Sequence, residues 1–340
     1  MDHPLISFVL LSYNHERFIG QAVQGALGQD YHPLEIIISD DASTDRSYEV
    51  IQKHLAGYKG GHTIHLRRNL KNSGYIGAHI NRIMETARGE LIIIAAGDDI
   101  SLPERTQKIF EAFKDSQGQA MSIYSAMKII DEQGREIGLH GYPLRGQEND
   151  WRVIARNGCR VSGCTHAWHR KVFDVFGPLM KETVFEDRAI PFRSCLLGKI
   201  AYIDQPLVLY RRHTQSVTSN VDPDIFDDIK SRSRSNYYNH MVVLQNHARD
   251  LQNKAGMLGL NRLEVRSALN HLHRKIRELS FQLQFERGGI INRIRTIYLG
   301  LVGGLGLIKV TRWALRMIFP GIYRRWIIHQ KKRDYQDRIL

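Results

Sequence analysis

The sequence predicts an α/β fold built on a mostly parallel sheet, and three observations predict it. Short apolar, β-rich runs alternate with segments whose apolar residues recur at helical spacing. The runs lack polar alternation, as suits strands covered on both faces. Each run ends in polar residues: Ser12-Tyr13-Asn14, Asp40-Asp41-Ala42-Ser43-Thr44-Asp45, Arg67-Arg68-Asn69 and Gly97-Asp98-Asp99. Parallel strands set their carboxyl ends along one edge, so these four loops should line one crevice, where open α/β sheets hold ligands.

In chain order, residues 6–11 read as a strand and 16–27 as a helix with Phe18, Ile19, Ala22, Val23, Ala26 and Leu27 on one face. Residues 34–39 make a second buried strand, and Ser43 or Thr44 caps a helix over 46–55. Residues 64–66 give a brief third strand, 78–87 a helix and 91–96 a fourth strand. That strand stops at Gly97, Asp98 and Asp99 follow, and Pro103-Glu104 suits the first turn of another helix. Further on, 120–130 and 202–210 read as strands, 170–176 as helical and 142–150 as a polar, mobile loop over the site. The order βαβαβαβ places helices on both faces of the sheet.

The chain has 340 residues, enough for a full core and a second unit. Hydrophobic residues make up 42% and charged residues 24%, ordinary for a globular protein. The net charge of +13 is not ordinary, and residues 286–340 carry most of it, with twelve Lys and Arg against three acids. The three cysteines, Cys159, Cys164 and Cys195, form no CxxC, so neither a disulfide framework nor a zinc site is expected and a reducing compartment fits. The first residues lack a basic n-region and read as a strand, not a signal peptide.

Asp98 and Asp99, at the end of a buried strand, could hold a hard divalent cation, which takes oxygen ligands beside phosphates. A lone Asp pair is as readily a turn with a helix cap. Here it has company. The stretches VLLSYNHERFIGQAVQGALGQDYHPLEIIISDDASTD, NSGYIGAHINRIMETARGELIIIAAGDD and FEDRAIPFRSCLLGKIAYIDQPLVLYRRH resemble family 2 glycosyltransferases of the nucleotide-diphospho-sugar transferase (GT-A) fold, of the bacterial surface-polysaccharide type. The resemblance spans residues 4–217, with several motifs in order.

The resemblance implies roles for individual residues. Ser12, Tyr13, Asn14, Asp40, Asp41 and Asn72 would hold the nucleotide base and ribose, with Asp45 a loop cap. The family's Asp-x-Asp metal motif reads Ala96-Gly97-Asp98 here, so its first acid is absent. Asp98 becomes the first ligand of Mn²⁺ or Mg²⁺ and a donor contact, with Asp99 a second ligand or structural, and His213 beside the metal and diphosphate. Arg211 or Arg212 would neutralise phosphate charge. Gly163, His166 and Trp168 would face the acceptor, with core packing as the alternative for Trp168. Glu186 and Asp187 fall where the family carries its general base, and Asp187 is the expected base. Arg193 would fix that acidic pair or contact substrate. One carboxylate base with the nucleophile supplied by the acceptor implies a single displacement with inversion.

Three domains are expected: the transferase domain over 1–220, a helical extension over 221–287, and a basic amphipathic segment over 288–340. The apolar face Leu263, Val265, Leu269, Leu272, Ile276, Leu279, Leu283 would pack on the transferase domain or on a second subunit as a homodimer. Residues 297–308 are apolar but too short for a spanning helix, which needs about 20 residues. Basic residues interleaved with Trp313, Phe319, Tyr323 and Trp326 read as an interfacial segment on an anionic membrane. The expected partners are therefore a UDP- or dTDP-type sugar donor, a lipid-linked or growing glycan, and the inner face of the cell membrane, in a cytoplasmic peripheral protein. A nucleic-acid partner is excluded because the basic excess avoids the folded part. Nucleotidyl transfer is excluded because HERFIGQ is not a Gly- and Lys-rich phosphate loop. The competing reading is a non-catalytic nucleotide-sugar-binding or membrane scaffold of the same fold.

Overall fold

The computed structural model describes residues 3–213 except 142, 144–148 and 160, residues 226–302 except 288, and residues 311 and 314. The expected loop over 142–150 and the interfacial segment beyond residue 302 lie largely outside the described residues.

The first half follows the βα alternation read from the sequence. It runs β1 (Ile6–Ser12), α1 (Ile19–Leu27), β2 (Leu34–Asp40), α2 (Ser47–Ala56), β3 (Thr63–Arg68), α3 (Ile76–Met84) and β4 (Leu91–Ala96). There follow β5 (Ile100–Ser101), α4 (Arg105–Asp115), β6 (Ala120–Ile130), β7 (Glu136–His140) and α5 (Trp151–Asn157). A 3-10 turn (Gly163–Thr165) leads to β8 (Ala167–His169), α6 (Lys171–Phe176), α7 (Glu186–Leu197) and β9 (Lys199–Arg211). The helices α8 (Phe226–Lys254), α9 (Arg262–Arg287) and α10 (Ile290–Val302) close the described chain.

The strands form one sheet in the order β3-β2-β1-β4-β8-β6-β9-β5, with β7 paired to β6. β1 pairs in parallel with β2 and with β4, and β2 with β3. The long pair β6–β9 is parallel as well, whereas the short β8 runs antiparallel between β4 and β6. This mixed, mostly parallel sheet with helices on both faces is the GT-A layout. Two apolar clusters explain why the runs lack polar alternation. Ile6, Phe8, Leu10, Ile36, Ile93 pack with α1 and α4 residues on one face, and Val9, Leu11, Ile37, Ile92 with α3, α6 and α7 residues on the other.

At the amino edge of the sheet, away from the polar strand ends, the buried Glu35 carboxylate accepts hydrogen bonds from Ser7 Oγ, Arg88 N and Gly89 N. It joins β1, β2 and the turn into β4. A Cβ at residue 89 would lie 2.2 Å from Ser7 N, so only glycine fits there.

By its internal contacts the chain forms two units, Met1–Ile225 with Val242–Leu272, and Phe226–Met241 with His273–Leu340. In the first unit the later part of α8 is tied to α7. Arg193, fully buried, donates to both oxygens of Asp250 at 2.7 and 3.1 Å and to the carbonyls of Gly177 and Pro178. Phe192 stacks on His247 at 4.0 Å, and Asn246 donates to Thr183 Oγ1. Arg193 was expected at the acidic pair or the substrate; it is occupied instead by the helical extension. A buried charge that loses its partner is costly, so Asp250→Ala should destabilise the chain by about 3–5 kcal/mol. Denaturant unfolding checks this, and a loss below about 1 kcal/mol, the worth of an exposed pair, would show the ion pair is not the tie.

Candidate active site

The parallel pairing of β1 to β2 and β4 brings the ends of those strands side by side. At the end of β1, Ser12 is buried and its Oγ has no partner, while Tyr13 is 45% exposed. Asn14 takes a left-handed φ of 56° and is stapled to the next loop: its N donates to Ser43 Oγ and its Oδ1 accepts from Thr44 N. Asn is one of the few side chains that tolerate this backbone.

The two aspartates after β2 are engaged in different ways. Asp40 is fully buried and closes its own turn, accepting from Ser43 N and Ser43 Oγ, with Arg68 Nε 3.4 Å away. Asp41 accepts from Asn69 Nδ2, Ser73 N and Ser73 Oγ, while Asn72 donates to its carbonyl. Asp41 thus shapes the loop that follows β3, and Asn72 is part of that frame. Asp45 accepts from Glu16 N and Ser47 N, which agrees with a loop cap.

The end of β4 carries the densest cluster. Asp98 Oδ2 lies 3.1 Å from His213 Nε2 and 4.0 Å from His15 Nε2. A Cβ at Gly97 would sit 2.5 Å from His15 Nδ1, so the ring occupies the space that glycine leaves. Asp99 is buried, and its Oδ1 accepts from Arg211 N at 2.9 Å. Burial and the Asp98 charge push the Asp99 carboxyl well above the usual range. The bond from Arg211 N gives Asp99 the structural role, one of its two expected alternatives.

Arg211 is also committed to the protein. Its guanidinium donates to Asp98 O, Asp131 O, Glu132 O and Gln21 Oε1, and stacks over the Phe18 ring at 4.9 Å. Of the two arginines, Arg212 is the exposed one. The His213 ring is tilted against Phe18, with ring centres 4.8 Å apart.

Among the described residues, no three His, Cys, Asp or Glu side chains come together as a ready metal cage. Asp98 and His213 do offer a carboxylate oxygen and an imidazole nitrogen side by side. Mg²⁺ is usually held by one or two carboxylates plus substrate phosphates, and carboxylate and imidazole suit the divalent transition ions. The donor set therefore fits a cation bound together with a diphosphate.

The acidic pair lies at the start of α7. Glu186 and Asp187 sit in its first turn, and Gly163 packs against both, with an added Cβ there 3.6 Å from Asp187 Oδ2. The other oxygen, Asp187 Oδ1, is buried without a partner. Burial, and for Glu186 the neighbouring Asp187, push the carboxyls up, Glu186 to about 8 and Asp187 to about 6, so the pair holds one proton near neutral pH. Burial pushes the Cys164 thiol up, and the charges of Asp99, Asp98 and Asp187 add to the rise. Cys159 Sγ donates to Asp187 O at 3.8 Å. Burial pushes the Cys159 and Cys195 thiols up to about 12.

His166 and Trp168, expected at the acceptor, are core residues. Trp168 is 1% exposed in the apolar cluster under α6 and α7. The fully buried His166 Nε2 is 2.8 Å from Ser122 Oγ, and burial pushes its ring down to about 3, keeping it neutral. Two residues with no sequence signal belong beside the site. Arg105, fully buried, donates to Ser101 Oγ, Ile94 O and Cys164 O and so joins the end of β4 to the 3-10 turn. His15 stands at the Asp98 carboxylate.

The strand-end acids and the buried acidic pair stand on a mixed, mostly parallel sheet of the nucleotide-diphospho-sugar transferase layout. The glycosyl transferase family 2 model matches residues 7–177, and the chain belongs to that family. It is 28% identical over 218 residues to an uncharacterized glycosyltransferase of Nostoc sp., covering 61% of this chain and 65% of that one. The chain spans 60–65% of the length of the first curated relatives it matches. Among solved structures it is similar to S. aureus TarS 1–349 in complex with UDP, with a TM-score of 0.55 and 16% identity over 86% of this chain and 78% of TarS. It is also similar to a Pyrobaculum calidifontis mannosyltransferase in complex with GDP-Man and Mn²⁺, with a TM-score of 0.50 and 14% identity over 94% and 88% of the two chains. At these identities the structures share the fold.

Gly163 is the tightest point of the acceptor side, because a Cβ there would lie 2.8 Å from Glu186 Oε1. Gly163→Ala should displace the acidic pair and cut kcat by roughly tenfold to a hundredfold, as small misplacements do. Donor KM and the thermal midpoint should change little. Steady-state kinetics check this; wild-type turnover would mean that the 3-10 turn does not position the base.

Proposed function

We propose that the chain is an inverting glycosyltransferase. It moves a sugar from a UDP- or dTDP-type donor to a hydroxyl of a lipid-linked or growing glycan in cell-surface polysaccharide synthesis. The observation that carries this reading is Asp187: its Oδ1 is buried and unpartnered, and the Gly163 turn packed against it is tied through Arg105 to Ile94 of β4, the strand that leads to Asp98.

In this reading Ser12, Tyr13, Asn14 and the frame of Asp41 and Asn72 receive the base and ribose. Asp40 and Arg211 act by holding the loops and the aspartate turn in place. Asp98 and His213 hold Mn²⁺ or Mg²⁺ with the diphosphate, and the bound cation supplies Lewis-acid stabilisation of the departing phosphate charge. Asp187 Oδ1 takes the proton of the acceptor hydroxyl as its oxygen forms the new bond to the anomeric carbon. The bond from that carbon to the diphosphate oxygen breaks on the opposite face. Glu186, protonated near neutral pH, keeps a second negative charge away from the base. The basic composition after residue 286 supports a reaction at the inner face of the cell membrane with a lipid-linked acceptor.

Two measurements test the reading. The first is a thermal-shift screen with UDP-, dTDP- and GDP-sugars, with and without Mn²⁺. One nucleotide class should stabilise the wild type in a Mn²⁺-dependent way and lose that effect in Asp98→Ala. Absence of any shift from folded protein would favour the non-catalytic alternative. The second is the pH profile. A base works deprotonated, so kcat should rise with pH through about 6, the raised Asp187 value, and Asp187→Asn should lower turnover by about 10²–10⁴-fold across the range. A rising limb near pH 4, the ordinary carboxylate range, would place the base elsewhere.

A further inference from the structure

α10 has two unlike faces. One is turned into the second unit: the Arg293 guanidinium lies 5.5 Å over the Phe285 ring of α9, and Thr296 and Gly300 are buried. The other carries Ile294, Tyr298, Leu299, Leu301 and Val302, all exposed, with Arg295 exposed among them. Twelve large hydrophobic residues are exposed among the described residues, and five of them fall within these nine positions. Scattered single apolar residues need no explanation, but a contiguous apolar stripe does.

No helix among the described residues is long and apolar enough to cross a membrane. A helix with an outward apolar stripe and an exposed arginine among it has the make-up of one that lies in the membrane surface. The sequence that follows has the matching charge: residues 303–340 hold nine Lys and Arg against two acids, together with Trp313 and Trp326. Charge also disfavours a second copy as the occupant, since pairing two such stripes brings each exposed Arg295 towards its own kind.

We propose that the outward face of α10 docks into the interfacial layer of an anionic bilayer, with its axis in the plane of the membrane. This deepens the reading that the acceptor is membrane-borne and assigns the docking surface to Ile294, Tyr298, Leu301 and Val302. Arg295 and the basic residues beyond add attraction to anionic headgroups.

The test is co-sedimentation of the full chain with vesicles of phosphatidylcholine alone or with phosphatidylglycerol, at low and high salt. Wild type should bind the phosphatidylglycerol vesicles and be weakened by salt. The triple variant Tyr298→Ser, Leu301→Ser, Val302→Ser should lose about tenfold or more in partitioning, since each truncation removes buried apolar area. Its circular dichroism and its donor-induced thermal shift should match wild type, which separates failure of docking from failure of the transferase reading. Equal binding by wild type and the triple variant would overturn the proposal. So would a wild-type dimer by light scattering that the triple variant converts to monomer without any vesicle binding.

Discussion

The strand-end cluster depends on one buried arginine. Arg211 ends β9, and its contacts reach α1 through Gln21 and Phe18, the aspartate turn through Asp98 and Asp99, and the turn after β6 through Asp131 and Glu132. Taking a charge out of water costs several kcal/mol unless hydrogen bonds replace the lost hydration. Here carbonyls and an amide accept its protons, and two aspartates stand close by. The antiparallel pairing of β5 with β9, Ile100 opposite Leu209, delivers the aspartate turn to this cation. The direction of the Asp98 carboxylate is thus decided more than a hundred residues away in the chain.

Much of this was legible from local pattern. The strands read at 6–11, 34–39 and 91–96 appear with ends shifted by at most one residue, and 120–130 appears as read. Those runs are buried on both faces, and nothing but a central strand explains six apolar residues between turn formers. β7 left little trace, because Glu-Ile-Gly-Leu-His at an exposed edge has no apolar run and only two apolar residues to mark a period. β8 was hidden for the opposite reason. Ala167-Trp168-His169 is too short to show a period, and its burial comes from β4 and β6, partners remote in sequence. That is why the sequence left Trp168 open between a sugar contact and core packing, and the structure buries it.

The site residues divide along the same line. Which acids cluster at strand ends followed from the parallel order. What each acid does there depends on hydrogen-bond partners that no spacing reveals: Asp40 closes a turn through Ser43, Asp41 frames a loop through Asn69 and Ser73, and Asp99 answers Arg211. Arg193 makes the point for the acceptor side. Its helix begins with Glu186 and Asp187, yet Arg193 turns to Asp250, so the later half of α8 braces the helix that carries the acidic pair. The helical extension is therefore a support for the chemistry as well as an appendage to it.

The state of the cysteines has a practical consequence. All three thiols are kept from ionising by burial, and thiolate is the form that alkylating reagents attack. Native protein should thus be nearly silent towards maleimides at neutral pH. A single cysteine placed at Leu70, which is fully exposed on the loop that Asp41 frames, would be the one reactive thiol. A fluorophore there would report directly on that loop without any need to strip the chain of its own cysteines.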